Sequence, residues 1–223
     1  MAWTLFILAV IAAILNWIAV EFEWRRIKYI SKPLVILALI AWLRLLAAWK
    51  GPLAWFVLAL SLSLAGDILL LLPARFFLPG LAAFLLGHTA YLIGLNLTPP
   101  PINLASIALL TVGLLLIGLI YPRIRTGLLT KPGRKVLNPA VFIYSVVLTA
   151  MLLSAVMTLF RVNWNTTAAM MVAAGGIMFF ISDMLLGFDR FVGPVRHGRL
   201  LVMVTYHLAQ IALASGALLQ FGR

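Results

Sequence analysis

The chain has 223 residues, of which 65% are hydrophobic and only 10% charged, and it carries a formal net charge of +12. A soluble domain holds roughly 45–50% apolar and about 25% charged residues, so this sequence lacks the polar groups to coat a water-facing surface. Intrinsic disorder, a collagen-like fold and a soluble nucleic-acid binder are excluded, and a polytopic helical membrane protein remains. Without any cysteine, disulfides, thiolate metal sites and cysteine nucleophiles drop out as well.

A helix needs about 20 apolar residues to cross a hydrocarbon core of roughly 30 Å. Stretches of that kind cover residues 3–20, 33–49, 53–72, 76–97, 102–121, 139–160, 167–188 and 200–221. They predict an all-α bundle of eight transmembrane helices forming a single domain over 1–223. Breakers stand where spans should stop, at Lys32-Pro33, Lys50-Gly51-Pro52, Thr98-Pro99-Pro100-Pro101, Lys131-Pro132-Gly133 and Gly193-Pro194. Nothing alternates in the manner of barrel strands. The first span does not read as a signal peptide, because Met1-Ala2-Trp3-Thr4 carries no lysine or arginine and no small-residue cleavage site follows. Tryptophans near span ends, such as Trp3, Trp49 and Trp164, read as an interfacial belt.

The placement of the cations argues for topology rather than for a polyanion partner. Arg25, Arg26, Lys28 and Lys32 follow the first span, Arg75 the third, Arg123, Arg125, Lys131, Arg134 and Lys135 the fifth, and Arg190, Arg196 and Arg199 the seventh. These thirteen share one side, against four (Arg44, Lys50, Arg161 and Arg223) on the other. Cytoplasmic loops keep the positive excess, which puts both termini outside and the basic loops in the cytoplasm. The expected location is the inner, or cytoplasmic, membrane of a bacterium, with membrane lipids as neighbours and no nucleic acid as partner.

Only five acids occur. Glu21, Glu23 and Asp189 sit at span ends among basic residues and read as solvated flanks. Asp67 and Asp183 lie inside spans, where a carboxylate costs roughly 2.5–3.5 kcal/mol on insertion scales, so each should face the bundle interior or a wet cavity. A bland alternative is a hydrogen-bonded aspartate that ties helices together. Their surroundings are alike: Ala65-Gly66-Asp67-Ile68 in the third span, Ile181-Ser182-Asp183-Met184 in the seventh. The following span supplies Gly87-His88-Thr89-Ala90-Tyr91 in one case and Thr205-Tyr206-His207-Leu208-Ala209-Gln210 in the other, while Lys32-Pro33 and Asn138-Pro139 open the second and sixth. This pattern predicts a degenerate parallel repeat of four helices, with halves at about 1–121 and 136–223. Both aspartates then lie at similar depth, nearer the cytoplasmic face.

Helical spacing groups Ser63 with Asp67 and Tyr206 with Gln210 at i,i+4, and His88 with Tyr91 at i,i+3. His207 points away from that face and reads as an interhelical hydrogen-bonding residue. Gly87 and the Gly175-Gly176 pair read as sites of close helix packing. No HExxH, P-loop or GxSxG motif is present, and no close ligand spacing supports a metal.

The segments Ser63 to Asp67, Gly80 to Tyr91, Gly176 to Asp183 and Thr205 to Gln210, together with Lys32-Pro33, Pro139 and Tyr144, resemble the signatures of the YhhN-like lysoplasmalogenase family. His207 departs from that pattern, which more often has a second aromatic there. The resemblance implies a multi-pass membrane enzyme that hydrolyses the vinyl ether bond of lysoplasmalogens, releasing a fatty aldehyde and glycerophosphoethanolamine or glycerophosphocholine. It further implies no added cofactor, and Asp67 and Asp183 as the catalytic acids.

Vinyl ether hydrolysis starts with protonation of the β-carbon and passes through an oxocarbenium ion that water captures. A proton donor and a nearby negative charge suit it, as two carboxyl groups do in glycosidases. On this reading one aspartate protonates the alkene while the other stabilises the cation and activates water, with the assignment open. Tyr91, His88, Tyr206, Gln210, Ser63 and Tyr144 would orient water and the ether oxygen. Lys32 would meet the phosphate, and a lysophospholipid would enter from the bilayer. The residues alone equally describe a proton-coupled transporter, since parallel repeats and intramembrane carboxylates occur there too.

Overall fold

The computed structural model describes residues 2–130 and 135–222. Met1, the Lys131-Pro132-Gly133 break, Arg134 and Arg223 lie outside the described residues. The elements are α1 (Ala2–Glu21), α2 (Arg25–Leu46), α3 (Gly51–Leu71), α4 (Phe77–Asn96), α5 (Leu104–Leu129), α6 (Asn138–Met157), α7 (Thr166–Gly187) and α8 (Gly198–Phe221). Among the described residues there is no strand, and all eight helices are long and apolar enough to cross a membrane. This is the architecture of a multi-pass membrane protein.

Local chemistry explains several ends. Pro52 and Pro139 open α3 and α6, where a missing N–H costs nothing. Asn103 caps α5 by accepting from the Ser106 N–H at 3.0 Å, while the Ser106 hydroxyl accepts from the Asn103 N–H at 2.9 Å. Asn165 caps α7 through the Ala168 N–H at 3.1 Å.

Two helices run past their predicted limits. Lys32-Pro33 does not open α2: the helix begins at Arg25, and Pro33 lies inside it. Exposed cationic turns hide this start from a hydropathy reading. Buried Asn16 of α1 anchors the region, donating to the Lys28 carbonyl at 3.3 Å and to the Ser31 hydroxyl at 3.0 Å. Likewise α5 continues through Pro122 to Leu129, so Arg123 and Arg125 are helical rather than loop residues. Ile124 and Leu128, one turn apart, supply the reason, for both are buried in a small cluster with Val141 and Phe191. The remainder of α5 is peripheral, and the main core draws on the other seven helices.

The closest packing follows small residues. A Cβ added to Gly175 of α7 would lie 2.8 Å from Leu213 Cγ and 3.1 Å from the Ala209 carbonyl of α8. That contact permits α7 and α8 to lie against each other along their length, as α3 and α4 do. Trp3 and Trp49 are exposed, whereas Trp164 is buried against Phe221 and cannot belong to an outward-facing belt. Arg161 is also inside. Its guanidinium donates to the Leu95 and Thr98 carbonyls at 2.7 and 3.2 Å and to Asn96 Oδ1 at 2.8 Å, capping the carbonyl end of α4 where a cation is favoured.

Candidate active site

A cavity of about 240 Å³ opens within the bundle, and both Asp67 and Asp183 line it. The rest of its wall is largely apolar, with Leu70, Leu81, Phe84, Met184, Val202 and Met203 among the contributors. Each carboxyl group sits in its own cluster of donors.

Asp67, on α3, is fully buried. Its Oδ1 lies 3.0 Å from the Lys32 ammonium of α2, and its Oδ2 accepts from the Tyr206 hydroxyl of α8 at 2.7 Å. Lys32 is therefore neither a solvated loop cation nor a helix-opening residue but an ion-pair partner at the centre of the bundle. It is placed there because α2 starts two turns earlier than hydropathy suggests, so that Lys32 occupies an inward-facing turn.

Asp183, on α7, is served from two other helices. His88 Nε2 of α4 lies 2.9 Å from its Oδ2, and the Tyr144 hydroxyl of α6 donates to that same oxygen at 2.5 Å. His88 Nε2 and the Tyr144 hydroxyl are themselves 3.0 Å apart, which closes a triangle of three polar groups. A buried polar group in such a bundle is costly unless satisfied, and here each acid receives two partners from separate helices.

The remaining candidates take other positions. Tyr91 and Gln210 form a buried pair, with the Tyr91 hydroxyl donating to Gln210 Oε1 at 2.5 Å; neither lines the cavity. Ser63 is buried one turn before Asp67, next to Gly87, whose added Cβ would meet the Ser63 oxygen at 3.3 Å. His207 accepts from Trp17 Nε1 of α1 at 3.1 Å, an interhelical bond away from the cavity.

Phe179 of α7 is a residue that sequence reasoning missed. Fully buried one turn before Asp183, its ring makes edge contacts with His88, Tyr206 and Tyr91 at centroid distances of 4.6, 5.4 and 6.4 Å. It thus fixes the rings that serve both acids. Nothing distinguishes one phenylalanine from another in an apolar span, so no sequence signal marks it. Ser145, Ser182 and Arg190 also line the cavity without having been singled out. The two serines donate within the fold, to the Val141 and Val202 carbonyls at 2.8 and 3.0 Å.

Comparison with known proteins gives a consistent answer. The model of the YhhN family matches residues 27–217. The lysoplasmalogenase TMEM86B of Sus scrofa is 33% identical over 183 residues, which cover 82% of this chain and 72% of that protein. TMEM86B of Mus musculus, also named a lysoplasmalogenase, is 30% identical over 215 residues, covering 96% of this chain and 84% of its own. The human lysoplasmalogenase TMEM86B is 30% identical over 160 residues, 72% of this chain and 62% of that one. No solved structure matches. With most of its length inside the family match, and relatives alike across nearly all of it, the chain belongs to the YhhN family.

Proposed function

We propose that this protein is an integral membrane lysoplasmalogenase in which Asp67 and Asp183 carry the chemistry. The observation behind the reading is that two acids from α3 and α7, each held by donors from two other helices, line one largely apolar cavity. The names of the relatives supply the reaction.

Asp183 is the proton donor in this proposal. Both of its donors take Oδ2, which leaves Oδ1 to present a proton to the β-carbon of the alkene. Protonation there moves the π electrons toward the ether and creates an oxocarbenium ion at the α-carbon. Asp67 supplies the matching negative charge, with Lys32 as the counter-ion that keeps a carboxylate tolerable inside the bundle. Water then adds to the α-carbon beside Asp67, and its proton returns to Asp183, left as a carboxylate by the first step, giving a hemiacetal and restoring the acid. Its collapse breaks the carbon–oxygen bond to glycerol and releases aldehyde and glycerophosphodiester, so the balance is one water consumed. Tyr144, His88 and Tyr206 hold the two carboxyl groups in place, and Tyr91, Gln210 and Ser63 stabilise the packing behind them. General acid catalysis of this kind contributes typically 10²–10⁴ in rate.

Partner choice at the two acids also supports a duplicated chain. Asp67 draws on α2 and on α8, while Asp183 draws on α6 and on α4, so each acid uses the preceding helix of its own half and the last helix of the other. The chain is one domain, and basic loops on the cytoplasmic side of a bacterial inner membrane, with termini outside, follow from the charge asymmetry.

The test is aldehyde release, followed by mass spectrometry, from choline and ethanolamine lysoplasmalogens by detergent-purified protein. Wild type should release aldehyde without a sealed vesicle, and Asp183→Asn should abolish release while eluting as a folded species. Absence of hydrolysis, with accumulation of substrate in proteoliposomes instead, would favour a carrier.

A further inference from the structure

Two cations line the cavity among the described residues, Lys32 and Arg190. Lys32 is committed to Asp67 at 3.0 Å and is buried. Arg190 is exposed and so stands at the cavity mouth, in the π-helical turn Phe188–Val192 that continues α7. Arg190 sits seven residues beyond Asp183, or about 10 Å along a helical axis at roughly 1.5 Å per residue. A substrate whose vinyl ether lies at Asp183 has a phosphorus separated from the ether oxygen by three carbons and one oxygen. Its phosphodiester therefore falls toward Arg190 and the aqueous face.

We propose that Arg190, and not Lys32, meets the phosphodiester of the substrate; this rests on the lysoplasmalogenase reading above. The turn is built to hold its side chain there. The Arg190 guanidinium carbon lies 4.4 Å from the centroid of the Phe77 ring, and Phe77 in turn packs edge-on against Phe191 at 6.2 Å. Phe77 and Phe191 both line the cavity, so the arginine is pinned to its wall. Gly127 of α5 clamps the turn from behind, for an added Cβ there would fall on the Phe191 carbonyl oxygen. π-Helical turns recur at functional sites, and a planar guanidinium matches phosphate oxygens two at a time. This assignment also relieves Lys32 of two incompatible tasks, since a phosphate taking its ammonium would strip Asp67 of its counter-charge.

The experiment compares substrates with and without the phosphodiester, for both turnover and binding. Turnover uses an alkenyl lysophosphoethanolamine and the corresponding 1-alkenylglycerol. Binding uses their saturated 1-alkyl ethers, which cannot be hydrolysed. Wild type should favour the phosphorylated member of each pair, and Arg190→Gln should reduce that preference by tenfold or more, in KM rather than kcat, with Arg190→Lys between the two. An unchanged preference in Arg190→Gln, or equal losses on both members of a pair, overturns the assignment. Should wild type bind the phosphorylated ether selectively through Arg190 yet release no aldehyde, the hydrolase reading fails while the phosphate contact stands.

Discussion

The Lys32–Asp67 pair gives the sharpest test, because its structural and chemical consequences separate. Its members are 3.0 Å apart, with side chains 8% and 0% exposed, and the carboxylate has a further donor in Tyr206. Removing one member of a buried pair leaves an uncompensated charge and costs about 3–5 kcal/mol, whereas replacing both with neutral groups of similar size is often close to neutral. Lys32→Met and Asp67→Asn should each destabilise the protein by that amount, or roughly 2–4 °C of melting temperature per kcal/mol for a chain of this length. The double variant Lys32→Met/Asp67→Asn should melt above either single variant. Heating detergent-purified protein and following the monodisperse fraction by size exclusion measures this, alongside aldehyde release below the melting range. The double variant should regain stability and remain inactive. Additive losses in the double variant would refute the coupling, and aldehyde release from it would remove Asp67 from the chemistry.

Tyr144→Phe deletes the hydroxyl that donates to Asp183 at 2.5 Å but keeps the ring against His88. Asp183 becomes charged only as it gives up its proton, and a hydrogen bond to a charged group is worth about 1.5–3 kcal/mol, so kcat should fall by roughly 10–100-fold with a smaller effect on melting temperature, and an unaltered kcat would take Tyr144 out of the site. His207→Leu should retain full turnover, since Trp17 Nε1 keeps the Met203 carbonyl at 3.2 Å as an acceptor and the leucine removes a buried Nε2 that has no partner. Its melting temperature should match or exceed wild type, and a loss of aldehyde release would bring His207 into the mechanism.

The features legible in the sequence are those with a large and local energetic signature. An apolar run long enough to cross a membrane, or an aspartate inside such a run, has no inexpensive alternative meaning, and eight helices with Asp67 and Asp183 inside the third and seventh are what the structure shows. Partners were less legible because i,i+3 and i,i+4 spacing reports faces of one helix, whereas every bond to the two acids runs between helices. Tyr206 and Gln210 do share a face, yet one binds Asp67 and the other Tyr91. Ser63 shares spacing with Asp67 but stands away from the cavity. Lys32 was obscured by Pro33, a residue that usually marks a helix start and here sits in the helix interior. Helix ends failed for the related reason that amphipathic turns such as Ile124 to Leu128 bury one stripe and expose arginines on the other.

The crossed arrangement of donors has a consequence for chemistry when set beside the proposed duplication. Two identical halves would surround both acids identically and give them the same tendency to hold a proton, which serves neither protonation of an alkene nor stabilisation of a cation. Here the donors from corresponding helices differ: α2 offers an ammonium where α6 offers a phenol, and α8 offers a phenol where α4 offers an imidazole. One acid thereby gains an ammonium and a phenol as partners, and the other a phenol and an imidazole. Carboxyl groups that share a site but differ in surroundings can divide the roles of acid and anion. On this argument the catalytic asymmetry resides in Lys32 and His88 rather than in the aspartates. Lys32→Met should therefore weaken stabilisation of the cation, whereas His88→Gln should impair protonation of the alkene, and both should lower the rate of aldehyde release.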